Sequence, residues 1–331
     1  MNKNNNNMKD LKYYIDCVGQ IFEEECFIAD PAELYAPIDY TLRLGGKRIR
    51  PTLLLVANAM FGGDIDAVRH AALGIETFHN FTLLHDDLMD RSTVRRGQPT
   101  VYVKWDENTA ILSGDTMFAL AWRYFLRQPP PHLQAILNTF NETAIEVCEG
   151  QQYDMNFERR DDVTIEQYMM MIRKKTAVLL AGALKIGALY AGAPTSEVEK
   201  LYQYGIHTGL AFQLQDDLLD GYGDTAVFGK KTGQDIRDNK KTYLPLRAAQ
   251  MCDETQRRQL AALFSDHDID EEEKVRQVMN LYDAVGLKCE VERAIATEFD
   301  AAHRALDSIG VADEAKEPLR EMLAQLDGRK K

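Results

Sequence analysis

The sequence predicts an all-α protein. Long segments carry apolar residues at three- and four-residue spacing, the period of a helix face, and convincing strand alternation is scarce. Glycine and proline clusters punctuate these segments at intervals suited to helix ends. The composition is 45% apolar over 331 residues, enough for a substantial core, with no linker or low-complexity tract in the body. The expectation is a single domain over residues 11–331, of roughly ten or more helices, behind a disordered lead-in at residues 1–10.

The elements follow in order. The opening MNKNNNNMKD has no apolar stretch and does not read as a signal peptide. FGGDID (61–66) separates two helical stretches. QPPPH (128–132) stops another, since proline lacks the N–H and clashes with the preceding turn. RRDDVTIEQ (159–167) leads into a helix through a capping box of Thr164 and Gln167. GAPTSEVE (192–199) repeats the pattern with Ser196 and Glu199. AVLLAGALKIGALYAG (177–192) is 16 residues long and contains Lys185. A spanning helix needs about 20 apolar residues, so this segment reads as a buried helix whose alanines and glycines permit close packing. DGYGDTAVFGKKTGQD (220–235) is one long glycine-rich loop.

A formal net charge of −13 argues against a general nucleic-acid surface. The five cysteines, Cys17, Cys26, Cys148, Cys252 and Cys289, are dispersed without a CxxC pair. They read as reduced thiols in a cytoplasmic protein, neither a disulfide framework nor a zinc site.

Two segments share the form DDLxD: LLHDDLMD ending at Asp90 and FQLQDDLLD ending at Asp220. On a helix, positions i and i+4 lie about 40° apart at roughly 100° per residue. Asp86 with Asp90, and Asp216 with Asp220, therefore each share a face. Aligned carboxylates repel, the more so when desolvated, and Phe81, Leu83, Leu84, Phe212 and Leu214 beside them imply partial burial. A single such motif reads more readily as a solvated acidic face. Two copies after apolar runs favour a bound divalent cation. Hard oxygen donors without His or Cys favour Mg²⁺, and the EF-hand spacing that would favour calcium is absent.

Basic groups complement the acids. GGKRIRP (45–51) places Lys47, Arg48 and Arg50 behind two glycines, without the Walker pattern. Arg95 and Arg96 follow the first acidic motif, Lys174 and Lys175 precede Thr176, and Lys230, Lys231, Lys240 and Lys241 follow the second motif. Any one cluster is an ordinary solvated patch. Together with acidic metal ligands they imply a diphosphate substrate.

GGKRIRP, HDDLMDRSTVRRG, KKTA, FQLQDDLLDGYGD and GKKTGQDIRDNKKTYLP, in that order, resemble the successive signatures of the trans-isoprenyl diphosphate synthases, or polyprenyl synthetases. The resemblance spans roughly residues 40–250 and is specific only in combination. It implies an isoprenoid synthase-type helical bundle around a central cavity, usually a homodimer. The implied reaction joins an allylic diphosphate head to tail with isopentenyl diphosphate. It places Asp86, Asp87, Asp90, Asp216, Asp217 and Asp220 at a Mg²⁺ site of three ions around the allylic diphosphate. Direct ligation falls to Asp86, Asp90 and Asp216, with Asp87, Asp217 and Asp220 acting through water. Lys47, Arg50, His79 and Arg96 match positions for isopentenyl diphosphate. Arg95, Lys175, Lys230 and Lys240 match positions for the allylic diphosphate. Thr176 and Gln213 fall where the family sets polar groups near the developing cation.

Ionisation chemistry of this kind needs no nucleophile, so His85 reads as structural. Chain length would be set by Phe78 and Phe81, eight and five residues before Asp86, with Thr82 beside them. Two ordinary core aromatics are the plain alternative. The bulky pair and the absence of an insertion in the first motif resemble short-chain synthases making fifteen- or twenty-carbon products. A medium- or long-chain synthase, a terpenoid cyclase or head-to-head synthase, and a non-catalytic subunit are the rivals. Two DDxxD motifs and an intact GGKRIRP oppose the cyclase, and six retained aspartates oppose the subunit. No nucleic-acid partner and no stable membrane insertion are expected.

Overall fold

The protein is described by a computed structural model covering residues 9–127, 130, 132–223, 232–266 and 268–328. Its helices are α1 (Leu11–Glu24), α2 (Ala32–Arg43), α3 (Ile49–Met60), α4 (Ile65–Met89), α5 (Val101–Lys104), α6 (Glu107–Arg127), α7 (Leu133–Phe157), α8 (Ile165–Ile172) and α9 (Val178–Tyr190). They continue as α10 (Thr195–Tyr222), α11 (Gln234–Arg237), α12 (Tyr243–Met251), α13 (Glu254–Ser265), α14 (Glu271–Ala284), α15 (Leu287–Asp307) and α16 (Asp313–Asp327). The all-α expectation holds. Among the described residues the only strands are β1 (Val94–Arg95) and β2 (Gln98–Pro99), an antiparallel pair absent from the sequence reading. None of the described helices is long and apolar enough to cross a membrane.

The chain forms two compact units. The first comprises Met1–Asn141, Gly182–Glu199 and Gly310–Leu319. Its spine is α4, which packs against α3 and α6. Asp64 caps α4 by accepting from the Asp66 N–H at 3.1 Å, so the FGGDID break ends one helix and starts the next. Leu53 to Ala57 of α3 and Val68, Ala71, Ala72, Ile75 and Phe78 of α4 are all buried, giving a continuous apolar seam. The carboxyl end of α4 is polar and half-exposed, and the first acidic motif sits there.

The second unit comprises Glu142–Ala181, Lys200–Ile309 and Arg320–Lys331. The predicted capping box is present: Gln167 N–H donates to Thr164 Oγ1 at 3.3 Å, and Thr164 N–H to Gln167 Oε1 at 3.1 Å. Between α8 and α9 the helix widens into a π-turn at Arg173–Ala177. Gly150 of α7 permits this, since a Cβ there would lie 2.3 Å from the Lys175 backbone nitrogen. The segment 177–192 is helical and largely buried, as its composition predicts.

One cap differs from expectation. Thr195 already belongs to α10, so Ser196 lies inside the first turn and cannot be the N-cap. The Pro194 carbonyl accepts from the N–H groups of Glu197 and Val198 at 2.9 and 3.0 Å, which starts the helix earlier. The Ser196 hydroxyl instead donates to Glu197 Oε1 at 3.3 Å.

Candidate active site

In the first unit, α4 delivers its acids at its last turn. The Asp90 N–H donates to the Asp86 carbonyl at 2.8 Å, holding the two residues one turn apart. Negative side chains at a helix carboxyl end oppose its dipole, so this end favours a cation. Asp87 points elsewhere. It is buried and accepts from Arg95 Nε at 2.7 Å, while its Oδ1 has no hydrogen-bond partner. Burial pushes the Asp87 carboxyl up, and Arg95 opposes the shift.

Arg95 and Arg96 sit on the β1–β2 hairpin. Arg96 (φ 53°) and Gly97 (φ 73°) form its turn with positive φ at both central positions, as a tight hairpin requires. The Arg96 guanidinium folds onto the glycine pair before α3 and donates to the Gly45 carbonyl. Gly46 has φ 126°, and a Cβ there would lie 2.7 Å from the Arg96 guanidinium, so glycine serves both backbone and close approach. Arg50 Nη1 lies 3.0 Å from His79 Nε2. Since an arginine can only donate, His79 accepts there and is neutral. Burial first, then Arg50, Arg96 and Arg95, hold the imidazole well below its ordinary value. Burial pulls Arg50 down to about 10. Lys47 is exposed in the loop beside them. Arg50, His79 and Arg96 are thus brought together within one unit.

Below the acids lies an aromatic layer. Phe78 is fully buried, with ring centroids 5.6, 5.8 and 5.3 Å from those of Phe81, Phe118 and Phe140. Phe81 is half-buried and meets Phe118 at 5.4 Å and His85 at 4.8 Å. His85 Nε2 lies 3.2 Å from the Ile111 carbonyl, and a Cβ on Gly114 would lie 2.2 Å from that ring nitrogen, a packing role as expected. Thr82 Oγ1 donates to the His79 carbonyl at 2.8 Å.

In the second unit, a hydrogen-bonded chain runs from the π-turn to α10. Thr176 Oγ1 donates to Gln213 Oε1 at 3.1 Å, and Gln213 Nε2 donates to Asp217 Oδ1 at 3.2 Å. Asp217 is buried and also accepts from Tyr168 OH and from the Tyr243 N–H at 3.2 Å. Burial pushes it to about 7 despite these donors. Asp220 accepts from the N–H groups of Gln234 and Asp235 at 3.2 and 3.0 Å, fastening α11 to α10. Asp216 is half-buried on the same helix. Lys175 Nζ donates to Asp154 Oδ2 at 2.6 Å. Lys175, Thr176, Gln213, Asp217, Asp235 and Lys240 line one cavity of about 140 Å³. Lys230 and Lys231 lie outside the described residues.

Three residues of these networks, Asp154, Tyr168 and Asp235, escape the sequence reading, as does the buried Glu76 of α4, whose Oε1 accepts from Asn80 Nδ2 at 3.2 Å. Burial and then Asp220 push Asp235 to about 7. Glu76 had one signal, a lone carboxylate in an apolar helical run three residues before His79. Tyr168 had none, since its partner is 49 residues away. Among the described residues no three His, Cys, Asp or Glu groups form a ready metal cluster. Magnesium keeps several waters and takes one or two carboxylates with phosphate oxygens. Within each unit taken alone, the half-buried carboxylates, Asp86 on α4 and Asp216 and Asp220 on α10, are donors of that kind.

Comparison with known proteins identifies the class. The polyprenyl synthetase family model matches residues 31–282, and the chain belongs to that family. It is 36% identical to a short chain isoprenyl diphosphate synthase of Methanothermobacter thermautotrophicus over 95% of this chain and 93% of that one. It is 42% identical to a geranylgeranyl diphosphate synthase of Methanosarcina mazei over 72% of this chain and 74% of that one. A crystal structure of a geranylgeranyl pyrophosphate synthase superposes with a TM-score of 0.93 at 41% identity, covering 98% of this chain and 100% of that one. The fold is therefore that of the all-α isoprenoid synthases.

Proposed function

We propose that the protein condenses isopentenyl diphosphate head to tail with an allylic diphosphate (dimethylallyl, geranyl or farnesyl). The product is an all-trans prenyl diphosphate of fifteen to twenty carbons, released with diphosphate. One observation carries this reading. Helix α4 bears a basic cluster at His79 and an acidic end at Asp86. Seven residues separate them, about 10 Å along the axis. One helix thus serves two anions by opposite chemistries, as a two-substrate condensation of diphosphates demands.

In this reading Lys47, Arg50, His79 and Arg96 hold the isopentenyl diphosphate. Asp86, Asp87, Asp90, Asp216, Asp217 and Asp220 surround the allylic diphosphate, with Arg95, Lys175, Lys230 and Lys240. Asp86, Asp90 and Asp216 would hold three Mg²⁺ ions, whose positive charge would stabilise the departing diphosphate. The basic side chains add charge and fix its position. Asp87 and Asp217 serve the site from behind, because Arg95 and Tyr168 already engage them. Thr176 orients Gln213 through its hydrogen bond, and the two polar groups are assigned to stabilising the forming allylic cation. The aromatic layer of Phe78 and Phe81 keeps water from the cation and closes the channel. The isopentenyl double bond attacks, and the departed diphosphate takes the proton lost.

The proposal treats residues 11–331 as one functional domain acting in the cytoplasm as a homodimer. Exposed Ile111, Leu112 and Leu126 on α6 supply an apolar face for a second copy. The test is incubation with isopentenyl diphosphate, Mg²⁺ and each allylic primer in turn, with product length measured. Failure to elongate any primer refutes the proposal.

A further inference from the structure

Lys274 on α14 is 4% exposed. Its ammonium donates to Asn239 Oδ1 at 2.6 Å and lies 5.4 Å from the centre of the Phe264 ring. Its hydrogen-bond partner is thus a neutral amide, not a carboxylate. Burying an ammonium is costly, and an apolar side chain of similar length would pack there without loss or with a gain. Packing does not account for a lysine at this position. The bond to Asn239 does.

Asn239 lies just past the end of α11, with φ 55° in the left-handed region. Its N–H donates to the Ile236 carbonyl at 3.3 Å, and the Lys240 N–H donates to the Asp235 carbonyl at 2.9 Å. Two such bonds around a left-handed residue make a Schellman helix end. Glycine usually fills this position because it has no Cβ. Here an asparagine fills it, and its side chain gives α14 something to hold. The next residue out of the turn is Lys240, which lines the cavity with Asp217, Asp235, Thr176 and Gln213. Other contacts fasten α11 to α14. Arg237 Nη2 donates to Glu272 Oε1 at 3.1 Å, and a Cβ on Gly233 would lie 2.7 Å from Val275 Cγ1.

We propose that Lys274 is a positioning residue: by fixing the Asn239 turn it sets Lys240 in place for the allylic diphosphate. The inference rests on the assignment of Lys240 to that diphosphate made above. Without the bond, the turn has to be ordered when substrate binds, and that ordering weakens binding.

The test uses the full chain with Mg²⁺, isopentenyl diphosphate and geranyl diphosphate, with KM measured for each substrate and melting curves alongside. Lys274→Met removes the ammonium and keeps the length. It is expected to melt no earlier than the wild type. It should nevertheless raise KM for the allylic substrate about fivefold and leave KM for isopentenyl diphosphate unmoved. Asn239→Gly keeps the left-handed turn and removes the acceptor. It should raise the allylic KM equally but melt earlier, because it strands a buried ammonium. The double variant should recover that melting temperature, which keeps the test open if N239G does not fold. Its allylic KM should match that of either single variant, since all three lose the same bond. A purely structural role would lower the melting temperature in K274M and leave the two KM values moving together. A wild-type allylic KM in K274M, or losses that multiply in the double variant, overturns the proposal. Lys240→Gln tests the assignment beneath it. An unchanged allylic KM there refutes that assignment and the proposal with it, whereas a raised KM there beside a wild-type KM in K274M refutes the role of Lys274 alone.

Discussion

Phe81→Ala tests whether the aromatic layer ends the product. Phe81 lies five residues before Asp86, about 7.5 Å along the axis, and Phe78 eight residues before, about 12 Å, at 1.5 Å per residue. The step between the two rings is thus about 4.5 Å. One isoprenoid unit extends the chain by four bonds of about 1.5 Å in zigzag, or roughly 5 Å. Removing the Phe81 ring should therefore admit about one further unit before the chain meets Phe78. Phe78→Ala alone should change the product little, because Phe81 still stands above it. The double variant should extend the product beyond Phe81→Ala. Stability should separate the two sites in the opposite order. Phe78 is fully buried among three phenylalanine rings, so its truncation should cost about 3–5 kcal/mol. Phe81 is half-buried and should cost less than half of that. The assay is chain-length analysis of products labelled from isopentenyl diphosphate, with melting curves alongside. Unchanged products from Phe81→Ala, or longer products from Phe78→Ala alone, would refute the ordering of the floor.

Three further outcomes are expected. Arg95→Gln leaves the buried Asp87 carboxylate without its ion pair and should lower stability by about 1–3 kcal/mol, discounted because Arg95 is 30% exposed; unchanged denaturant midpoints would show that water already satisfies Asp87. Gly150→Ala forces its methyl group against the backbone of the π-turn and should raise KM for the allylic substrate more than that for isopentenyl diphosphate, with loss of at least tenfold in kcat/KM. Asp235 has a folded value of about 7 against an ordinary 3.8. The folded state therefore holds this proton more tightly, and its contribution is complete below about pH 4 and lost as pH rises through 7. In EDTA, Asp235→Asn should gain on the wild type across that window, and parallel stability curves would contradict the shift.

The legible part of the site is the part written in local geometry. DDLxD at helical spacing places its acids one turn apart wherever the helix goes, and the backbone bond from Asp90 to Asp86 realises this at the end of α4. Thr164 and Gln167 cap α8 because both partners lie within one turn. The illegible part depends on residues far apart in sequence or on backbone departures with no composition signal. Arg96–Gly97 makes a tight hairpin turn without the Asn-Gly or Asp-Gly pair that announces one. The π-turn at Arg173–Ala177 is accommodated by the missing side chain of Gly150 on α7, and nothing within RKKTA announces it. Ser196 carried the right residue type for a cap, but a proline carbonyl two positions earlier took the role first.

The same distinction explains why the six aspartates are not equivalent. By sequence, the middle acid of each motif differs from its neighbours only in its direction around the helix. In the structure that direction is decisive. Asp87 turns into the unit to meet Arg95, and Asp217 turns inward to meet Tyr168, Gln213 and the Tyr243 N–H. Each buried acid anchors a separate segment, the hairpin in one unit and the start of α12 in the other. Asp86 and Asp216 are left on less buried helix faces. In the proposed function a paired aspartate does two jobs with one residue type: one carboxylate is assigned to the ligand, and its neighbour, about 100° further round the helix, fixes a separate segment of its own unit.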